Sequence, residues 1–214
     1  MVAGIFDLCG AFGGKLSGPN KNNQKGMFEN SVIRNEIVKP FFAAIGADRL
    51  GQRPLPDRGI CRDKAVKYGF ANEWQERVEK VMRNDGYGGG HWFYKGAKMC
   101  LMWPIWHAAF PRAKWVIVRR NDEGILQSCL RTPFMRAYRN SEGWNVWLDA
   151  HKECFGEMLD AGLQIRTVWS DNVVAGDFVQ IKDAIAWAGL RWDQAAVDEF
   201  VDPALYGQGK AKKK

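Results

Sequence analysis

Apolar positions recur along the chain with two periods. Val2, Ile5, Phe6 and Cys9 share one helical face, and Gly10 and the Gly13-Gly14 pair stop the pattern, predicting a short helix over Val2–Leu8. A second helix is predicted over Asn30–Phe42, with Glu29 in its first turn, where a carboxylate suits the helix dipole. Asn72 is placed to cap a helix from Glu73 to about Asn84, with Trp74, Val78, Val81 and Met82 on one face. Pro104 opens another, carrying Ile105, Trp106, Ala109 and Phe110. Trp115–Val118 is a short β-branched and aromatic run that suits a strand covered on both faces in a parallel sheet.

Beyond that strand, Asn121 or Asp122 caps a helix whose apolar positions are Ile125, Leu126, Cys129 and Leu130. A long helix runs from Ser141 to about Asp160 with Trp144, Trp147, Leu148, His151, Phe155, Met158 and Leu159 at helical spacing. Ile165–Trp169 reads as a strand, Phe178–Ala188 as a helix closed by Gly189, and Asp193 as the cap of a last helix to Phe200. Trp92–Lys95 reads as a further short strand. Residues 48–68 show no periodicity and carry prolines at 54 and 56, so they read as a long surface loop, either an acceptor-binding lid or a plain connector. Strands alternating with helices make this an α/β chain with a parallel sheet.

Composition narrows the class. At 214 residues the chain reads as one α/β domain over residues 1–205, followed by a basic tail at 206–214. Ten Trp and twelve Phe supply an ample core. The net charge is +7, but Lys210, Lys212, Lys213 and Lys214 carry four of it, which leaves +3 for the rest. That excess fits an anionic small ligand better than a nucleic-acid surface, although a lysine tail adds nonspecific affinity for polyanions. Five cysteines, odd in number and without a CxxC pair, read as reduced core residues. The three histidines stand apart without metal-ligand spacing, so no metal is expected, and neither a GxSxG elbow nor a GxxxxGK[ST] loop occurs. No apolar run reaches membrane-spanning length and no leader pattern is visible, so a soluble cytoplasmic protein is expected.

The candidate chemistry centres on FPRAKWVIVRRN and the helix after it. Arg119 and Arg120 end the strand, where open α/β sheets place ligands. Ser128 follows Arg120 by eight residues, so a guanidinium fork and a hydroxyl can converge on one phosphate; solvated charges at a strand end are the plainer reading. This segment resembles the 3′-phosphate-binding segment of sulfotransferases that use 3′-phosphoadenosine 5′-phosphosulfate (PAPS). Three other stretches resemble the same family in the same order: residues 2–14, the loop GPNKNNQKGMFEN at 18–30, and GLRWDQAAVDEFVDPAL at 189–205. The 18–30 loop is similar to one carried by bacterial and phage sulfotransferase-like proteins.

The resemblance implies a P-loop NTPase-like three-layer α/β/α domain with a short parallel sheet. It implies that Arg120 and Ser128 hold the 3′-phosphate of PAPS or of the product 3′-phosphoadenosine 5′-phosphate (PAP). It also implies that Glu29 is the general base on an acceptor hydroxyl, with Asp57, Asp63 and His91 as competitors. Lys95 matches the lysine of the family's Lys-Asp-Pro-Arg turn, whose Asp is here Gly96 and whose Arg is Lys98; it is either a point charge on the sulfuryl group or a solvated lysine. Residues 1–10 match the helix that follows the family's 5′-phosphosulfate loop, so a strand of about five residues and a loop of about eight are expected ahead of Met1. Without that loop, most transfer activity would be lost.

The function implied is sulfuryl transfer from PAPS to a hydroxyl or amine of a small-molecule or glycan acceptor, with no metal, no specific nucleic acid and no membrane. The alternatives are a noncatalytic PAP- or nucleotide-binding protein, and a polyanion-binding protein acting through its basic tail. Nothing in the sequence fixes the acceptor or the oligomeric state.

Overall fold

A computed structural model describes residues 1–19 and 23–205. The basic tail at 206–214 and part of the 18–30 loop lie outside the described residues. The architecture is mixed α/β and mostly helical. Its sheet has two parallel strands, β1 (Trp115–Arg119) and β2 (Ile165–Trp169), in register from Trp115↔Ile165 to Arg119↔Trp169. The crossover between them carries α6 (Asp122–Arg131) and α7 (Ser141–Asp160), enough chain to return parallel to β1.

Side chains alternate across a strand, so the two faces of the sheet enter different cores. Trp115 and Ile165 join the larger core. There they meet the π-helical turn Ile33–Val38, α2 (Lys39–Ala44), α3 (Arg58–Val66), α4 (Phe70–Asn84), α5 (Trp103–Ala109) and one stripe of α7. Val116 and Val168 enter a second core with α1 (Val2–Leu8), α8 (Ser170–Val174), α9 (Val179–Ala188) and α10 (Gln194–Phe200). A third small cluster joins Leu126 and Cys129 of α6 to Trp144 of α7. All five cysteines are free and buried.

In the larger core the aromatics meet both edge to face and stacked. Trp74 meets Phe41 at 5.5 Å and Trp106 at 5.6 Å between ring centroids, and Tyr94 stacks on Trp106 at 5.0 Å. Each such pair adds about 0.5–1.5 kcal/mol beyond the area it buries.

Helix ends follow the expected chemistry. Asn121, Asn140 and Asp193 cap α6, α7 and α10 through side-chain oxygens, and Gly189 closes α9 in the left-handed region.

Five expectations are corrected. Trp92–Lys95 does not form a strand: only Trp92 pairs, in a single parallel bridge to Phe12, before Gly13 and Gly14 turn the partner away. Residues 48–68 are not all loop, because α3 lies within them, capped by Asp57, whose side chain accepts from the Ile60 N–H at 2.9 Å. α4 starts at Phe70 behind Gly69 (φ +79°), so Asn72 lies inside the helix instead of capping it. The helix after Asn30 widens to π-helical geometry over Ile33–Val38 and then runs on to Ala44. β1 is not covered on both faces along its length, since Val118 is 48% exposed.

Candidate functional site

Asn30 builds the first half of the site. It is 1% exposed, and its side-chain oxygen accepts from the N–H groups of Val32 and Ile33, both at 3.1 Å, which starts the helix. Its amide donates to Asp85 Oδ2 at 2.7 Å and to the Gly13 carbonyl at 3.4 Å. Gly14 makes room for this knot: at φ +71°, a Cβ there would lie 2.5 Å from Asn30 Nδ2 and 2.6 Å from Asp85 Oδ2. The preceding residue, Glu29, is therefore delivered to a fixed place.

Phe28 sets its direction. It is the one non-glycine with positive φ (52°) among the described residues, a conformation that costs on the order of 1–3 kcal/mol. Its ring meets Phe200 of α10 edge-on at 5.7 Å, and both rings lie where a Cβ on Gly4 would otherwise be. The contact with Phe200 works against that strain.

Glu29, 7% exposed, meets two cations. Its Oε2 accepts from Arg34 Nη1 at 3.0 Å and its Oε1 from Lys95 Nζ at 3.0 Å. Lys95 also donates to the Met27 carbonyl at 3.2 Å. Burial raises the Glu29 pKa, but the charge of Lys95, hydrogen bonds from Lys95 and Arg34, and the charge of Lys98 outweigh it, so the group is held below the ordinary glutamate value. It is a carboxylate at neutral pH. Burial and the nearby Glu29 charge push the Tyr94 phenol in the opposite direction, well above its ordinary value.

The second half lies at the C-terminal ends of the strands. Arg119 is committed to packing: its guanidinium sits over the rings of Trp169 at 5.3 Å and Phe155 at 5.8 Å, and it pairs with Asp122 at 3.7 Å. Arg120 instead folds over the start of α6. A Cβ on Gly124 would come within 2.9 Å of Arg120 Nε and 3.2 Å of its Cζ, so the absence of a side chain there admits the guanidinium. Ser128 is one turn further along that helix face, half-buried, with its carbonyl accepting from the Thr132 hydroxyl at 2.6 Å. The turns are braced to each other, because Asp171 of α8 accepts from the Asn121 backbone at 2.8 Å and from its side chain at 2.9 Å, and Ser170 donates to the Arg119 carbonyl at 3.0 Å.

Two of the expected residues, Glu29 and Lys95, thus touch across 66 positions of sequence. Arg120, which precedes α6, lies over Gly124, one turn before Ser128. The hydrogen bonds of Glu29 and Lys95 run to Arg34, Met27 and each other, not to Arg120 or Ser128. The competing bases are elsewhere: Asp57 is a helix cap, Asp63 is exposed on α3, and His91 is exposed beside Gly189. Arg34, Asn30 and Gly124 are the participants that sequence reasoning missed. Arg34 sits five residues after Glu29, a signal that was present, whereas the Asn30–Asp85 contact spans 55 residues and left none.

Among the described residues, no group of three or more His, Cys, Asp or Glu side chains is placed to hold a metal ion, and no helix is long and apolar enough to cross a membrane. Comparison with protein-family models, curated proteins and solved structures gave no match.

Proposed function

We propose that this chain is a PAPS-dependent sulfotransferase-like protein of P-loop-like fold, acting on a hydroxyl or amine of a small-molecule or glycan acceptor. The observation that carries the reading is the 3.0 Å contact between Glu29 and Lys95 in a setting crowded with cations. Sulfuryl transfer needs in-line placement and neutralisation of charge spreading over the sulfuryl oxygens more than it needs covalent help. In this reading Lys95 stands against the sulfuryl oxygens and Glu29 takes the acceptor proton. Arg120 and Ser128 hold the 3′-phosphate, the group that separates PAPS from ATP. PAP leaves with its 5′-phosphate after the S–O bond to it breaks and the bond from the acceptor to sulfur forms.

The test is transfer from PAPS to a panel of phenols and neutral or charged sugars, following PAP release. Glu29→Gln and Lys95→Met should each lower turnover by about 10²-fold or more while PAP still binds. Turnover unchanged by both substitutions would overturn the assignment.

A second reading is favoured by the engagement of Glu29 with two cations, which makes it a weak base at rest. In that reading the site binds PAP or a related nucleotide without turnover, and Glu29 only organises Arg34 and Lys95. PAP binding with no transfer to any acceptor would select it.

A further inference from the structure

The turn at residues 48–53 and the segment that follows α6 are joined into one surface, and Gln52 joins them. Its side chain is 4% exposed; it donates to the Phe134 carbonyl at 2.8 Å and accepts from the N–H groups of Arg136 at 2.9 Å and Ala137 at 3.2 Å. A second tie lies beside it. The Arg53 guanidinium sits over the Tyr138 ring at 5.6 Å, and Trp144 donates to the Tyr138 carbonyl at 3.1 Å. From the other side Trp147 donates to the Gly51 carbonyl at 2.8 Å. The Met135 N–H closes a turn on the Thr132 carbonyl at 2.9 Å, which keeps the end of α6 beside the same segment.

This surface presents Arg49, Arg53, Arg131, Arg136 and Arg139, all exposed. Among the described residues none of their guanidinium groups has a hydrogen bond or an ion pair, whereas Arg58, Arg62, Arg83 and Arg166 each meet a carboxylate. No Asp or Glu occurs from Leu130 to Arg139, and the next carboxylate along the chain is Glu142, in the first turn of α7. In the turn itself the carboxylate is that of Asp48, which accepts from the N–H groups of Leu50 at 3.1 Å and Gln52 at 2.9 Å. The cations are all arginine, whose planar fork matches sulfate and carboxylate oxygens two at a time. Phe134 and Leu50, 44% and 38% exposed, lie among them as half-open apolar faces, too little to enter a bilayer but able to meet the C–H face of a sugar ring.

The surface also adjoins both halves of the candidate site. A Cβ on Gly51 would lie 2.7 Å from Lys98 Cγ, so the turn that carries Arg49 and Arg53 rests against the turn that begins at Lys95. Arg131 stands three residues after Ser128 on α6, one turn along the helix.

We infer that these arginines form a docking track for an anionic glycan chain, sulfated or carboxylated, which leads an acceptor hydroxyl toward Glu29. This rests on the sulfotransferase reading above and names its acceptor class. A cluster of unpaired like charges raises the local concentration of a polyanion, and each anionic group that docks gains a charge-assisted fork.

The experiment is fluorescence-anisotropy titration of the full chain with a labelled heparin octasaccharide, and separately with a labelled single-stranded oligonucleotide of matching net charge, at one salt concentration. Two variants of equal charge are compared: Arg49→Gln, Arg136→Gln, Arg139→Gln on the track, and Lys67→Gln, Lys80→Gln, Arg112→Gln on exposed positions elsewhere. The lysines at 210–214 are common to all three proteins, and thermal unfolding checks the fold. The track variant should weaken heparin by about 10²-fold or more, Arg139→Gln alone by about tenfold, and the control variant by less than about threefold. Equal losses in the two triple variants overturn the track, because binding then follows net charge alone. An oligonucleotide held by the natural chain as tightly as heparin, and lost equally in the track variant, overturns the glycan assignment in favour of nucleic acid. PAP-over-AMP selectivity of the natural chain reports separately on the underlying reading: its absence beside the expected heparin result would sink that reading and the acceptor role with it, and leave a glycan-docking surface.

Discussion

The side-chain amide of Asn30 donates to Asp85 at 2.7 Å while its oxygen caps the helix that follows Glu29, so one buried residue joins the candidate base to the end of α4. Losing it removes a cap and leaves Asp85 without its buried donor. Asn30→Ala should destabilise the fold by about 2–3 kcal/mol. Urea unfolding reads this as a fall in midpoint, and an unchanged midpoint would show the knot to be dispensable.

Gly14 guards the same contact. Gly14→Ala combines a strained φ of +71° with contacts under 3.0 Å to two of the knot's polar atoms, whereas Gly86 (φ +103°) has open space around it. We expect Gly86→Ala to cost about 1 kcal/mol and Gly14→Ala roughly twice that or more, again by urea midpoint. Equal costs would mean that the knot yields without loss.

Glu29 gives stability a dependence on pH. Its folded pKa lies below the unfolded value, so its contribution is present above about 4.3, the ordinary glutamate value, and is lost as pH falls through the lower folded value. Glu29→Gln should therefore cost stability at neutral pH, about 1–2 kcal/mol because Arg34 and Lys95 can rehydrate. The difference from the natural chain should shrink below about pH 4. A difference that does not vary between neutral and acid pH would contradict the ion-pair account.

Gly124 separates stability from binding. An alanine there gains helix propensity but presses on Arg120 and on the Asn121 oxygen that caps α6. The two stability effects oppose each other, so Gly124→Ala should change stability by less than about 1 kcal/mol. It should displace Arg120 and weaken PAP binding more than AMP binding. Unchanged PAP affinity would show that the position of Arg120 over α6 does not matter.

The elements that could be read from sequence are those whose signal is local. β1, β2, α6, α7, α9 and α10 carry continuous apolar patterns and short-range caps, and they stand close to where periodicity and the caps put them. α3 is different. Of its nine residues only Cys61 is fully buried, and the helix is tied to α7 by Arg58 and Arg62 pairing with Glu157, at 2.7 and 3.0 Å, and by Arg58 pairing with Glu153. Partners nearly a hundred residues away leave no local pattern. The 92–95 segment has the composition of a strand but finds one paired partner residue, and composition says nothing about neighbours.

At the candidate site the residue types were legible and their meeting was not. Glu29 and Lys95 could each be singled out, but the backbone that joins them is set by Asn30, Gly14 and the strained Phe28, which act through Asp85 and Phe200 far along the chain. Arg119 and Arg120 look alike in sequence. Only the rings of Trp169 and Phe155 reveal that the first is structural, and only the bare face at Gly124 shows where the second lies.

The most direct test is calorimetric binding of PAP and of AMP to this chain and to Arg120→Ala. The natural chain should bind PAP in preference to AMP, and Arg120→Ala should weaken PAP by about 1.5–3 kcal/mol while leaving AMP nearly unchanged, because only PAP carries the 3′-phosphate. Equal loss for both nucleotides, or no preference for PAP in the natural chain, would contradict the assignment.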